Sequence, residues 1–310
     1  MKLLSVVCPV YKEAEVIGDF YAAVVAVLNG LRGYDYEIVF AADRSPDRTH
    51  EILNEIAATN ARVKVLHLSN RFGHQMSLLA GIDHSRGDAI VMMDSDLQHP
   101  PELIPALLEK HDEGFDLVLT LREPSRDSGI FKTWSSTLFY RVINLLSDIP
   151  IAPNAADYRL MSKKVADVFR TQIRERNQFI RGLVGWVGFS SCYVPFEVHG
   201  RAAGKSKYSV RRLLHFAVDG VVSFSKKPLQ IFLVLGLLIA GLALLHAAYT
   251  VMQYFLRAAM PSGWATLSVI VSFLGGMQLA GIGVLGLYIG AIFDEVKGRP
   301  HYVIAEKINF

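Results

Sequence analysis

From residue 1 to about residue 200, short apolar runs alternate with longer stretches in which apolar residues recur at helical spacing. The runs Leu3–Val10, Glu37–Ala41, Val63–Leu68, Ala89–Met93, Leu117–Leu121 and Tyr193–Val198 are rich in Val, Ile, Leu and aromatics, a composition that predicts strands. Between them, Glu13–Leu31, Asp47–Thr59, Gln75–His84 and Pro101–Glu113 predict helices. The Ser45-Pro46-Asp47-Arg48-Thr49 turn and the Pro100-Pro101 pair supply start signals. Strand and helix in alternation predict a doubly wound α/β domain with a mostly parallel sheet over residues 1–200. In such sheets ligands bind beyond the carboxyl ends of the strands, which directs attention to the loops after Val10, Ala41 and Met93.

The pattern changes twice beyond that point. Residues 201–227 form a basic amphipathic segment with seven Lys or Arg against a single acid, Asp219. No charged side chain then occurs between Lys227 and Arg257, nor between Arg257 and Asp294, and each gap exceeds the roughly 20 residues that cross a bilayer core. Two transmembrane helices, 228–256 and 264–293, are expected, joined by a short turn into a hairpin and followed by a tail, 294–310. Positive charge flanks the outer ends of the hairpin at Lys226, Lys227, Lys297, Arg299 and Lys307, with only Arg257 at the turn. This asymmetry predicts a multi-pass protein of the cell (inner) membrane with the α/β domain and both termini cytoplasmic. The basic segment would lie against an anionic leaflet, where each Lys or Arg contributes about 1 kcal/mol.

Composition adds little to that layout. With 51% apolar residues in 310, the chain can build one sizeable domain plus a hydrophobic element, and a net charge of +3 argues against a general nucleic-acid binder. Cys8 and Cys192 lack partners at metal-binding spacing, as expected of a reduced, cytosol-facing domain. The opening Met1-Lys2 and its short apolar run read as a first strand, not as a signal peptide. Gly281-Ile-Gly283-Val-Leu-Gly286 matches a dinucleotide fingerprint, but it lies inside an apolar span and reads as helix packing. Gly286 and Gly290 suit close approach of the hairpin partner or of another subunit, which makes the spans compatible with a homo-oligomer.

Chemistry is concentrated at three strand ends. Met93-Asp94-Ser95-Asp96-Leu97-Gln98 places two carboxylates one residue apart, where both can turn toward one hard cation such as Mg2+ or Mn2+ that bridges a diphosphate. In Ala41-Ala42-Asp43-Arg44-Ser45-Pro46-Asp47, Asp43 could accept a hydrogen bond from a base or ribose, while Ser45 and Asp47 suit helix capping. In Pro9-Val10-Tyr11-Lys12-Glu13, Tyr11 could stack on a planar base or be buried for structural reasons alone.

Taken together, Pro9–Glu13, Asp43–Thr49 and Asp94-Ser-Asp-Leu-Gln-His-Pro-Pro-Glu102 resemble the family 2 glycosyltransferases of GT-A fold. More narrowly, the chain is similar to polyprenyl-phosphate glycosyltransferases related to dolichol-phosphate mannose synthase and the bactoprenol glucosyltransferases. The likeness extends through Arg201-Ala-Ala-Gly-Lys-Ser-Lys-Tyr208 and the terminal hairpin. It implies that Pro9, Tyr11, Glu13 and Asp43 hold the nucleotide-sugar, that Asp94, Asp96 and Gln98 hold the metal, and that Arg122 meets the diphosphate. Asp157 matches the family's acceptor-side acid, and Arg201 and Lys205 would grip the lipid phosphate. The bland alternatives are a helix cap before Ser162–Phe169 for Asp157 and a surface charge for Arg122.

The implied reaction is inverting transfer of a hexose, glucose from UDP-glucose, to a polyprenyl phosphate such as undecaprenyl phosphate. Ala42 stands where many relatives carry Asp or Asn, so a polar contact to the nucleoside is expected to be missing. The Gln-x-x-Arg-Trp pattern of processive synthases is also absent, which favours a single transfer. A nucleotidyltransferase and a catalytically inactive membrane scaffold of GT-A fold are the two rival readings.

Overall fold

The computed structural model describes residues 1–122, 155–176, 178–196, 227–256 and 263–310. Among them, residues 1–122, 155–176, 178–196 and 298–310 belong to one compact unit, and 227–256 with 263–297 to a second.

The first unit is built on one eight-stranded sheet. Its strands are β1 (Lys2–Val10), β2 (Tyr34–Ala42), β3 (Val63–Leu68), β4 (Ala89–Met92), β5 (Leu117–Arg122), β6 (Ala155–Ser162), β7 (Ser191–Phe196) and β8 (Ile304–Ile308), in the order β7-β5-β6-β4-β1-β2-β3-β8. Strands β1 to β4 pair in parallel, and β5 and β7 run the same way, because β6 is antiparallel to both β4 and β5. Only β6 and β8 are reversed, so the sheet is mostly parallel as expected. These are also the two strands the sequence pattern does not predict. β6 carries Asp157 and Arg159 in its interior, and β8 exposes Glu306 and Lys307, so neither shows a continuous apolar run.

Helices α1 (Ile17–Leu28), α2 (Thr49–Thr59), α3 (His74–His84), α4 (Ile104–Asp112), α5 (Lys163–Thr171) and α6 (Ile180–Trp186) accompany the sheet. In α1 the buried residues Ile17, Phe20, Val24 and Leu28 form one stripe at helical spacing. That helix starts at Ile17 and not at Glu13, because residues 11–16 are consumed by a loop with Lys12 in the left-handed region at φ 58°. Helix α5 is capped by Ser162, whose hydroxyl accepts from the Val165 N–H; Asp157 lies inside β6 and is not the cap. Helix α3 sits hard against β1: a Cβ at Gly81 would fall 2.2 Å from Cγ1 of Val7. This close approach fixes α3, and with it the side chains at its amino end.

The second unit consists of two long helices, α7 (Lys227–Leu256) and α8 (Trp264–Val296). They touch where Gly281 lies against Phe232, whereas Gly283, Gly286 and Gly290 have nothing within 4 Å of a Cβ among the described residues, so the close approach expected at Gly286 and Gly290 is not seen there. Within α8, Phe273–Val296 is long and apolar enough to cross a membrane; in α7 the described side chains give a shorter apolar segment, Lys227–Ile239.

Candidate active site

The carboxyl ends of β1 to β4 enclose a cavity of about 270 Å³. Its walls are Pro9 and Val10 at the end of β1, Tyr11 and Glu13 after it, Asp43 after β2, Arg71, Gly73, His74 and Ser77 after β3, and Asp94, Ser95 and Asp96 after β4. Six of the residues singled out from the sequence therefore share one wall-lined space: Pro9, Tyr11, Glu13, Asp43, Asp94 and Asp96. A more open groove at the other end of the strands, between α1 and α4, contains none of them.

Backbone hydrogen bonds stitch the loops around this cavity to one another. The N–H groups of Lys12, Glu13 and Ala14 donate to Ser45 Oγ (3.1 Å), Thr49 Oγ1 (3.1 Å) and Asp47 Oδ2 (3.4 Å). Ser45 and Asp47 thus hold the β1 loop in place, and Asp47 Oδ1 also accepts the N–H (3.4 Å) and hydroxyl (2.7 Å) of Thr49, the first residue of α2. Asp43 is 2% exposed, and its two oxygens accept the N–H groups of Phe72 (3.0 Å) and Gly73 (2.9 Å). It anchors the β3 loop as well as lining the cavity. The Arg71 guanidinium lies 4.2 Å from the centroid of the Tyr11 ring, so one face of that ring already carries a cation. Ala42 is fully buried in the core and does not line the cavity, which places that departure from the resemblance behind the wall and not on it.

The Asp94–Asp96 segment is held equally firmly. Ser95 Oγ donates to the Pro9 carbonyl at 3.1 Å, and the Asp94 N–H donates to His99 Nδ1 at 3.0 Å. Leu97 takes the left-handed conformation at φ 61°. Like Lys12 it lies in a loop beside the cavity, where strain of about 1–3 kcal/mol is sustained by the surrounding fold. Asp96 accepts from both the backbone N–H and the side-chain amide of Gln98. His74 Nε2 lies 2.8 Å from Asp94 Oδ1. Burial alone would push the Asp94 carboxyl up, yet the His74 contact outweighs it and holds the group below the usual carboxylate range.

A second acidic centre adjoins this one. Asp157 Oδ1 accepts from Arg159 Nη2 at 2.7 Å, and its Oδ2 accepts from Arg181 Nη2 at 2.9 Å. Burial would raise the Asp157 carboxyl, but Arg159 and Arg181 dominate and hold it far below the ordinary value. Two guanidinium groups converge on this one carboxylate, and Arg159 Nε has no partner among the described residues. The amide oxygen of Gln75 on α3 accepts from the Ile180 N–H, which ties this centre to the helix that bears His74. Arg122 lies beside the buried ring of His99, its Nη2 3.4 Å from Nε2, and its Nε also lacks a partner among the described residues.

These donors fit a hard divalent cation. Asp94 and Asp96 offer oxygens on the same wall, and no group of three or more His, Cys, Asp or Glu forms a self-sufficient metal site among the described residues. Substrate oxygens are needed to complete a shell of six or so. Gln98 borders Asp96 without lining the cavity. Arg201 and Lys205 lie outside the described residues. Sequence reasoning missed Arg71, His74, His99, Arg159 and Arg181. Arg159 stands two residues from Asp157, and Gln178-Phe-Ile-Arg181 supplies four of the five positions of the processive pattern, lacking only its Trp.

Comparison with known proteins gives three findings. The sequence profile described as Glycosyl transferase family 2 matches residues 5–169. The chain is 37% identical over 303 residues to an uncharacterized glycosyltransferase, sll0501, of Synechocystis sp., covering 98% of this chain and 95% of that one. It is 39% identical over 301 residues to the SfII prophage-derived bactoprenol glucosyl transferase of Shigella flexneri, covering 97% of each. Among solved structures, mannosyl-3-phosphoglycerate synthase from Rubrobacter xylanophilus superposes with a TM-score of 0.49 at 17% identity, over 71% of this chain and 72% of that one.

Proposed function

The chain belongs to glycosyl transferase family 2 and is an enzyme, and from that premise we propose that it moves glucose from UDP-glucose to a polyprenyl phosphate such as undecaprenyl phosphate. The observation that carries this reading is the single cavity joining a nucleoside-facing wall (Pro9, Tyr11, Glu13, Asp43) to a carboxylate pair (Asp94, Asp96). The relatives named as bactoprenol glucosyl transferases support the sugar and the lipid acceptor. Family membership removes the inactive scaffold as a rival.

In the proposed mechanism, Asp43 and the β1 loop fix the nucleoside, and Arg122 faces the diphosphate with an N–H still to be satisfied. A divalent cation, Mg2+ or Mn2+, held by Asp94 and Asp96 with Gln98 beside them, would neutralise the departing diphosphate. An oxygen of the lipid phosphate attacks the anomeric carbon as the bond to the diphosphate breaks, its electron pair leaving with the nucleotide, so the anomeric configuration inverts. A phosphate monoester has a second pKa of about 6 and is already largely ionised near neutrality, so little base catalysis is required. Asp157 accordingly serves as the fixed counter-ion that orients Arg159 and Arg181 toward the acceptor side, not as a proton acceptor. Arg201 and Lys205 receive the lipid phosphate in this reading.

The apolar stretch of α8 and its contact with α7 support a membrane-anchoring hairpin, and the positive charge flanking it at Lys226, Lys227, Lys297, Arg299 and Lys307 supports a cytoplasmic catalytic domain and termini. The test is incubation of the purified protein with polyprenyl phosphate and a panel of radiolabelled sugar nucleotides, with and without Mn2+ or Mg2+. A metal-dependent glucolipid from UDP-glucose is expected, lost in Asp94→Ala. Absence of any glycolipid from every donor would overturn the proposal, and release of pyrophosphate would point to a nucleotidyltransferase.

A further inference from the structure

His99 sits immediately behind the carboxylate pair and is 0% exposed. A backbone N–H can only donate, so the 3.0 Å contact from the Asp94 N–H requires a lone pair on His99 Nδ1, and a neutral ring then carries its proton on Nε2. That N–H points toward Arg122 Nη2 at 3.4 Å, donor against donor, and no hydrogen bond joins them. The ring is held by other means. It stacks on Tyr158 at 5.1 Å and 24°, and meets Phe196 edge-on at 6.0 Å. Tyr158 in turn donates its hydroxyl to the Pro100 carbonyl at 2.9 Å. The carboxyl end of this loop, at His99 and Pro100, is therefore clamped onto Tyr158, which lies between Asp157 and Arg159 in β6, and the Asp94 N–H ties the loop's other end to His99.

We propose that His99 is a positioning residue: its Nδ1 sets the backbone at Asp94 so that Asp94 and Asp96 present their oxygens together, and its stacking on Tyr158 keeps that pair in register with β6. This rests on the reading of Asp94 and Asp96 as the cation-binding pair. A role in packing alone requires only an aromatic ring of the right size; the proposed role requires an acceptor at the Nδ1 position. His99→Phe keeps the ring and removes the acceptor. His99→Asn places an amide oxygen near the Nδ1 position, whereas His99→Gln reaches toward Nε2 and leaves the Asp94 N–H without a partner.

Mn2+ binding to the full-length protein with UDP present, followed by electron paramagnetic resonance, separates the two. His99→Phe should weaken Mn2+ about ten- to a hundredfold, the usual cost of losing an outer-shell partner, and kcat should fall in proportion. The KM for polyprenyl phosphate should stay within about twofold. His99→Asn should restore most of the Mn2+ affinity and His99→Gln should not. Wild-type Mn2+ affinity in His99→Phe overturns the proposal. If His99→Phe does not fold, as judged by its melting curve, equal Mn2+ affinities in the Asn and Gln variants overturn it. Asp94→Ala run in parallel keeps the two readings apart: Mn2+ binding that survives this substitution refutes the metal assignment itself, whereas its loss there together with unchanged binding in His99→Phe refutes the role of His99 alone.

Discussion

Asp43, buried, and Asp157, half-buried, are carboxylates at the rim of the same sheet, and they are satisfied by opposite means. Asp43 takes two backbone N–H groups from one short loop; Asp157 takes two guanidinium groups from different elements. Backbone amides are neutral and cannot be exchanged by mutation, so Asp43 builds a rigid wall whose charge remains its own. The Asp157 centre instead gathers two charged donors on one carboxylate, and Arg159 Nε keeps an N–H with no partner among the described residues. Under the proposed function, the Asp43 wall would hold the nucleotide-sugar rigidly while the arginines around Asp157 face the acceptor.

The largest expected effect follows from removing the shared carboxylate. Asp157→Ala leaves Arg159, 2% exposed, without its counter-ion and should cost about 3–5 kcal/mol in thermal unfolding of the catalytic domain. If Asp157 acted as a general base instead, Asp157→Asn would also reshape the pH–rate profile. The arrangement here predicts a reduced rate with no change in profile shape between roughly pH 6 and 8.

Asp43→Ala should cost less, about 2–3 kcal/mol, because it strands two neutral N–H groups and no charge. Its effect on function should exceed its effect on stability, with the KM for UDP-glucose rising more than that for the lipid. Equal rises in both would contradict the assignment of this wall to the donor.

Acid should separate the two regions in sequence. Burial holds His67, His84 and His301 below the ordinary histidine value of 6.5, and all three border the segment that carries β8: His67 lies opposite Glu306, and His84 meets Tyr302 and Phe310. A depressed value means that the unfolded chain takes up the proton first. Their stabilisation is complete above 6.5 and is lost as pH falls through the folded values. Asp157 follows the same sign from a lower start, so its contribution persists until below about pH 4. Hydrogen exchange should therefore show β3 and β8 losing protection before β6 on acidification. Simultaneous loss would mean that the sheet opens as one cooperative piece.

The sequence made the cavity lined by Tyr11, Asp43 and Asp94 readable because each part of it is local. Each of Tyr11, Asp43 and Asp94 follows directly on an apolar run, and parallel strands all deliver their loops to one edge. The Asp157 centre depends on pairings that no local pattern marks. Arg181 lies 24 residues from Asp157, and β6 hides its strand character behind an Asp and an Arg. The same holds for β8, where five residues following a long apolar helix return to the sheet edge beside β3. Arg71 and His74 escaped because the loop after β3 has no acidic motif; the one cue was Gly73 directly ahead of the helical run.

The smallest effect tests whether the nature of the donor, and not its number, sets the cost. Asp83 combines the two arrangements: its Oδ1 and Oδ2 accept from Arg174 Nη1 at 2.9 and 3.0 Å, and Oδ2 also accepts the Tyr302 hydroxyl at 2.6 Å. The neighbouring backbone is secured independently, by His301 Nε2 against the Arg174 carbonyl and by Arg176 donating to the Pro300 carbonyl. Tyr302→Phe removes only the neutral donor and leaves the guanidinium in place. It should cost about 1 kcal/mol by thermal unfolding and leave kcat unchanged, whereas Asp83→Ala strands both donors and should cost more. A Tyr302→Phe penalty as large as that of Asp157→Ala would show that neutral and charged donors count alike here, and the contrast between the two rim carboxylates would lose its physical basis.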